Sequence, residues 1–335
     1  MRKSPLPRLM PAAAALGLAL SLVGCAGAPE PEAQSSESGV AGFPVTVSSC
    51  GHESTLTAPP EHAVTLNQGA TEVALALGVE DQMAGTAYLD DAVAERWSAA
   101  YDTVPVLSKE YPSREEFLAA DPDFAYASYG SAFERKAVGT QEQLDSQGIA
   151  SYLSPFGCDD TEQRPAPSFQ AVWDEVTEVG KAFGVPDRAA DVVKEQTDTL
   201  AELADQKAGQ GVSVLWYDSG RKTPFVGAGD GGPGLVMDAV GADNVFADHE
   251  GNWFDASWED VLAADPDVIV VVDASWDTAK GKIAYLSKDK VLRQLTAVKE
   301  KRFVTIPFSE STPGVRLVDG ARSLADQLGG VNLPR

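Results

Sequence analysis

Arg114-Glu-Glu-Phe-Leu-Ala-Ala-Asp-Pro-Asp-Phe-Ala-Tyr126 reads in register against Trp258-Glu-Asp-Val-Leu-Ala-Ala-Asp-Pro-Asp-Val-Ile-Val270, 144 residues downstream. In each copy a short helix ends in Ala-Ala-Asp-Pro-Asp and feeds an apolar strand, so the two halves of the chain each hold a related α/β unit. Strand and helix signals alternate around both copies. The first is flanked by a strand at 63–66, an apolar helix at 71–78, a helix at 141–146 and a strand at 151–153. The second is flanked by a strand at 212–216, a helix at 235–240 and a strand at 303–306; its own strand runs on as Val268-Ile-Val-Val-Val272, and a helix at 315–328 closes the chain. Such alternation predicts βα units and parallel sheets. Between the halves, Phe169, Val172, Trp173, Val176 and Val179 keep a helical period. A second helix follows Gly184-Val-Pro186, with the stripe Ala189, Val192, Val193, Gln196, Leu200, Leu203 and Ala204. At about 20 residues it reaches roughly 30 Å, enough to run between two lobes. The expected fold is therefore α/β with two lobes, 45–186 and 209–335, each a mostly parallel sheet covered by helices. One long helix over 187–208 joins them. A small β-hairpin around Cys50-Gly51-His52 opens the first lobe.

A length of 335 residues suits two domains of about 150 residues each. Lys and Arg number 26 against 50 Asp and Glu, a net charge of −24. A chain this acidic repels phosphate backbones, so nucleic acid is not an expected partner. Three cysteines and three histidines are too few for a multi-cysteine zinc module or a histidine-rich metal loop, and no metal site or resident cofactor is expected. Arg2, Lys3 and Arg8, the apolar run 12–23 and Gly24-Cys25 form a secretory signal over 1–24. Leu22-Val-Gly-Cys25 resembles a bacterial lipobox, which makes Cys25 the lipidated first residue of the mature chain. Residues 25–44, rich in Pro, Gly, Ser and Glu, read as a flexible tether. The body is thus expected outside the cytoplasm, anchored to the cell membrane by lipid alone, because no later stretch reaches the roughly 18 apolar residues of a membrane span.

Six segments, in order, carry a family resemblance: Pro60-Glu-His-Ala-Val-Thr-Leu66, Glu72-Val-Ala-Leu-Ala-Leu-Gly-Val79, Ala120-Asp-Pro-Asp-Phe124, Gly241-Ala-Asp-Asn-Val-Phe246, Trp258 to Val270, and Ala297-Val-Lys-Glu-Lys-Arg-Phe303. Over about residues 44–330 the chain resembles the substrate-binding proteins of ABC importers for iron-siderophores, haem and cobalamin. The resemblance implies that the joining helix is rigid, that the ligand cleft lies between the two lobes, and that the chain is a monomeric solute-binding lipoprotein that hands its ligand to a two-subunit permease driven by an ATPase. Ferric siderophore, haem, cobalamin and a deazaflavin-like cofactor all stay open as ligands. A surface Glu near the start of each lobe's first helix would pair with the permease. Glu72 matches that position, whereas in the second lobe Leu235 occupies it and Asp238 is the nearest carboxylate.

Ligands of open α/β sheets bind beyond the carboxyl ends of the strands. The residues at those positions are Asn67, Gln68, Gly69, Tyr88, Tyr129, Trp216, Tyr217, Trp276 and Phe308, with Arg114, Arg221 and Arg316 nearby in sequence. Aromatic walls with a few guanidinium forks suit a large, flat or chelated anionic ligand. Arg316, just past the loop 308–314, is the leading charged candidate. Gly227-Ala-Gly-Asp-Gly-Gly232 matches G-x-G-x-x-G, but Asp230 would face a pyrophosphate, so the segment reads as a loop at the cleft mouth. No nucleophile elbow or H-E-x-x-H motif is present, so an enzyme is not expected. A membrane-tethered enzyme or sensor on the same fold is the alternative reading, and a surface scaffold a third. With Cys25 lipidated, Cys50 and Cys158 are the two thiols left in an oxidising compartment and are expected to pair, two buried free thiols being the alternative.

Overall fold

The computed structural model describes residues 40–333; the signal peptide, Cys25 and most of the tether lie outside the described residues. Strands β1 (Val45–Ser49) and β2 (His52–Leu56) form the antiparallel hairpin. They precede the first main sheet: β3 (Ala63–Leu66), β4 (Met83–Ala87), β5 (Val106–Ser108), β6 (Phe124–Ala127) and β7 (Ala150–Leu153), in the order β5-β4-β3-β6-β7. All four pairings are parallel. β3 and β6 are buried along their whole length, which is why they read as unbroken apolar runs rather than alternating ones. Helices α1 (Gln68–Leu77), α2 (Ser98–Tyr101), α3 (Arg114–Ala119) and α4 (Gln141–Asp145) connect these strands.

The second sheet is built from β8 (Ser213–Ser219), β9 (Phe225–Gly227), β10 (Asp243–Asn244), β11 (Trp253–Asp255), β12 (Val268–Asp273) and β13 (Phe303–Pro307). Its order is β11-β9-β8-β12-β13, with β10 added beside β8. β8, β10, β12 and β13 are parallel, but β9 runs antiparallel to both β8 and β11. This lobe is therefore less parallel than its partner. Between the sheets lie α5 (Phe169–Ala182) and α6 (Pro186–Gln206); after β9 come α7 (Gly232–Val240), α8 (Trp258–Ala264), α9 (Ala279–Lys288), α10 (Thr296–Lys299) and α11 (Leu317–Gly330).

The repeated Asp-Pro-Asp plays the same part twice. Ser113 and Ser257 cap α3 and α8 by accepting the backbone N–H of Glu116 and Asp260. Asp121 (φ 51°) and Asp265 (φ 39°) then turn the chain out of each helix through the left-handed region, a conformation Asp tolerates. The second Asp of each motif ties the following strand to its neighbour. Asp123 accepts from the backbone of Glu61 and His62 (2.7 and 3.1 Å) just before β3, and Asp267 accepts from Ser213 N–H (3.0 Å) at the start of β8. The pairs β3–β6 and β8–β12 are thereby set in register by a carboxylate at their amino ends.

Helix α6 spans Pro186–Gln206, and its Ala189 and Val192 pack in the core of the first lobe while Leu203 packs in that of the second. α5 also reaches both, with Val176 and Val179 in the first core and Val172 in the second. Gln196, the polar member of the α6 stripe, ties neighbouring segments together by accepting from Trp173 Nε1 (2.9 Å) and donating to the Val315 carbonyl (2.6 Å). Phe43 already packs on the first core, so the body begins inside the segment expected to be tether. Among the described residues, no helix is long and apolar enough to cross a membrane.

Cys50 and Cys158 are joined by a disulfide across a sequence separation of 108 residues, linking the turn of the hairpin to the segment after β7. Closing a loop of that length constrains the unfolded chain by about 4–5 kcal/mol in the chain-entropy account. The Cys50→Ser/Cys158→Ser double variant is expected to unfold at clearly lower urea than the parent. Labelling of the denatured, unreduced mature protein should find neither thiol free.

Candidate functional site

Both sheets point the carboxyl ends of their strands at one cavity of about 810 Å³, lined from both lobes. In the first sheet the strand order reverses at β3, the position where open α/β sheets leave room for a ligand. Gln68 follows β3, Asp90 follows β4, Ser128 and Tyr129 follow β6, and Ser154 and Phe156 follow β7. The second lobe contributes Asp218 near the end of β8, Phe225 and Trp253 from the antiparallel pair β9 and β11, and Phe308, Thr312 and Pro313 after β13. Glu175 enters from α5.

The lining is held by specific bonds. Gln68 Oε1 accepts the backbone N–H of Asp90 (3.1 Å) and Asp91 (3.4 Å), which fixes its amide. Tyr126 donates its hydroxyl to Glu175 Oε1 at 2.7 Å. Burial raises the Glu175 carboxyl above the usual range, against the pull of hydrogen bonds from Tyr126 and Ser154. Burial, with Asp91 beside it, raises Asp90 to about 6. Asp218 is raised by burial too, with Lys282 offsetting part of the effect. Behind the lining, Asn67 (φ 74°) and Tyr88 (φ 60°) hold left-handed backbone at the ends of β3 and β4, strain of a kind that gathers around binding sites.

Of the residues expected at the site, Gln68, Gly69, Tyr129 and Phe308 line the cavity. Trp276, 58% exposed, lies edge-on against Phe308 with ring centroids 5.0 Å apart. Asn67 and Tyr88 stand off the lining; Tyr111 donates to Asn67 Oδ1 (3.1 Å) and meets the Tyr88 ring at 4.7 Å. Trp216 and Tyr217 are core residues, both 0% exposed. The sequence places the end of their strand at Trp216, but β8 runs on to Ser219, so the residue that reaches the cavity is Asp218. The three arginines are engaged elsewhere. Arg221 forms a two-pronged pair with Asp277 (2.7 and 3.1 Å), and Arg114 donates to Gln143 (3.2 Å). Arg316 is buried and bonds to Glu72 (3.3 Å), to Glu310, to Ser309 Oγ (2.8 Å) and to the Ala92 carbonyl (3.3 Å).

Glu72, expected on the surface as a docking acid, is 1% exposed, because it turns inward to Arg316 and to Ala94 N–H (3.0 Å). A carboxylate so enclosed presents nothing to a permease. Asp238 is exposed on α7. The G-x-G-x-x-G segment is no open loop either: a Cβ at Gly229 would collide with the Ala247 carbonyl and one at Gly232 with that of Ser311, so these glycines serve close backbone packing. Asp230 accepts from Gly251 N–H (2.8 Å), which ties the segment to the chain just before β11. Asp90, Glu175, Trp253 and Arg164 were not legible as site residues, since each reaches the cavity from an element that the alternation of signals leaves unmarked or assigns to packing alone.

The periplasmic binding protein family matches residues 64–310. This chain belongs to that family. The family is one of binding proteins, and the enzyme alternative falls with that membership. A cobalamin-binding protein of Halobacterium salinarum is 27% identical over 328 residues, covering 93% of this binding protein and 82% of the relative. A periplasmic binding protein from Veillonella parvula superposes with a TM-score of 0.74 at 30% identity, over 86% of this chain and 98% of that one. A protein of an ABC-type Fe3+-hydroxamate transport system from Saccharomonospora viridis superposes with a TM-score of 0.69 at 24% identity, over 86% and 99%.

The Arg316 cluster makes two measurable predictions. Arg316→Ala would leave Glu72 and Glu310 buried without their cation, and is expected to cost about 3–5 kcal/mol in urea unfolding. Burial raises Glu72 from 4.5 to about 7, outweighing Arg316, so the folded state binds a proton more tightly than the unfolded chain does. The associated stability is present below about pH 4.5 and is lost as pH rises through about 7. Glu310 and Asp91, also raised by burial, act in the same direction. Unfolding free energy should therefore fall across that window, and fall less steeply in Glu72→Gln; a rise in the parent would contradict this assignment.

Proposed function

We propose that this protein captures a large metal chelate or corrinoid, of the ferric siderophore, haem or cobalamin kind, and delivers it to the permease of an ABC importer. The observation that carries this reading is the interlobe cavity of about 810 Å³, within the size range of small-molecule sites and walled by Tyr129, Phe156, Phe225, Trp253 and Phe308. A space of that size exceeds what a bare ion needs and suits a ligand with its own flat or chelated framework. The cobalamin-binding relative supports the same ligand class. The lipobox at Leu22–Cys25 supports a lipid anchor on Cys25, which keeps the body, as a monomer on its tether, at the membrane face where the permease lies.

Two measurements test this. Native mass spectrometry of the protein purified from its own host should show a bound species lost on denaturation, with metal in the released fraction. A metal-free ligand such as a deazaflavin, or none at all under metal limitation, would refute the chelate reading. Cys25→Ser should release the mature protein from the membrane fraction into the soluble one, whereas retention at the membrane would refute the anchor.

A further inference from the structure

The cavity lining carries a charge preference. Among the described residues, four carboxylates, Asp90, Asp159, Glu175 and Asp218, line the space, and Arg164 is the one basic side chain in the lining. Arg164 is itself exposed and donates Nε to the Cys158 carbonyl at 2.6 Å. The other candidate cations are held away from the cavity, Arg316 by Glu72 and Glu310, Arg221 by Asp277. Lys282 offsets part of the Asp218 charge but is 1% exposed and gives its ammonium to the Val272 carbonyl (2.6 Å). A polyanion placed here would meet several carboxylates and a single guanidinium.

Resting on the chelate reading above, we infer that the ligand is neutral or cationic, and that the cavity rejects polyanionic chelates. Ferric trihydroxamates with a free ammonium and corrinoids with amide side chains share that chemistry. Tricatecholates and haem, with their negative charges, do not.

Isothermal titration of the mature protein with ferrioxamine B, cyanocobalamin, ferric enterobactin and haemin separates these cases. One of the first two is expected to bind roughly tenfold or more tightly than either anion, the effect of about one uncompensated unit charge at a partly buried site. Which of the two binds tells hydroxamate from corrinoid. Asp159→Lys, at an exposed position in the lining, should weaken the preferred ligand roughly tenfold and narrow the gap to the anions. Tightest binding of enterobactin or haemin, or an unchanged gap in Asp159→Lys, overturns the charge inference alone. Failure of all four chelates to bind overturns the chelate reading and this inference with it.

Discussion

One buried guanidinium sets how the two lobes meet. Arg316 stands at the start of α11 in the second lobe, yet its Nη1 reaches Glu72 on α1 and the Ala92 carbonyl in the first, while Nη2 is held by Glu310. Replacing such a cluster by apolar side chains is often neutral for stability, so its worth lies in position rather than in net energy. The segment from Phe308 to Arg316 is pinned on both sides. Ser309 N–H donates to Asp91 (3.0 Å), Val315 packs into the first core, and its carbonyl accepts from Gln196. That same segment supplies Phe308, Thr312 and Pro313 to the cavity, so the wall facing the ligand is fixed by the bonds that fix the lobes. With α5 and α6 also packed in both cores, ligand entry has to be accommodated by side chains and loops more than by swinging one lobe away from the other.

The lobes share a scaffold but not a wall. Asp-Pro-Asp places the central strands identically, and from there the sheets diverge. The first keeps parallel neighbours throughout, so its strand ends present short polar side chains from tight βα turns, Ser128 and Ser154 among them. The second replaces its outer strands with the antiparallel pair β9 and β11, and that departure carries Phe225 and Trp253 to the cavity. Aromatic carbon reaches the cavity from both sides, through Tyr129 and Phe156 on the first lobe and Phe225, Trp253 and Phe308 on the second.

Fold was legible in the sequence because buried parallel strands and amphipathic helices leave local signatures, and because Leu-Ala-Ala-Asp-Pro-Asp recurs where both lobes need the same turn. Site residues immediately after a strand, Gln68 and Tyr129, were legible for the same reason. Charge pairing was not. Arg316 and Glu72 are 244 residues apart and Arg221 and Asp277 are 56 apart, and no local pattern shows that an arginine beside a cleft has already been neutralised. Strand length was the other blind spot. Val212 to Tyr217 is apolar enough to end anywhere, and the difference between a strand ending at Trp216 and one ending at Ser219 exchanges two aromatic site residues for one carboxylate.

That exchange reverses the electrostatic character of the site. Read from sequence, the cleft is aromatic and cationic inside an acidic protein, so the surface would repel the anion that the cavity attracts. In the folded chain the two agree in sign: the full sequence carries a net charge of −24, and the charged residues of the cavity lining are also predominantly acidic. A field of one sign over surface and cleft steers cations inward and slows anions before they make contact. Because exposed charges are screened within about 10 Å at ordinary ionic strength, the surface contribution fades as salt rises while the discrimination inside the cavity persists. Salt should therefore slow the capture of a cationic chelate more than it loosens the complex once formed.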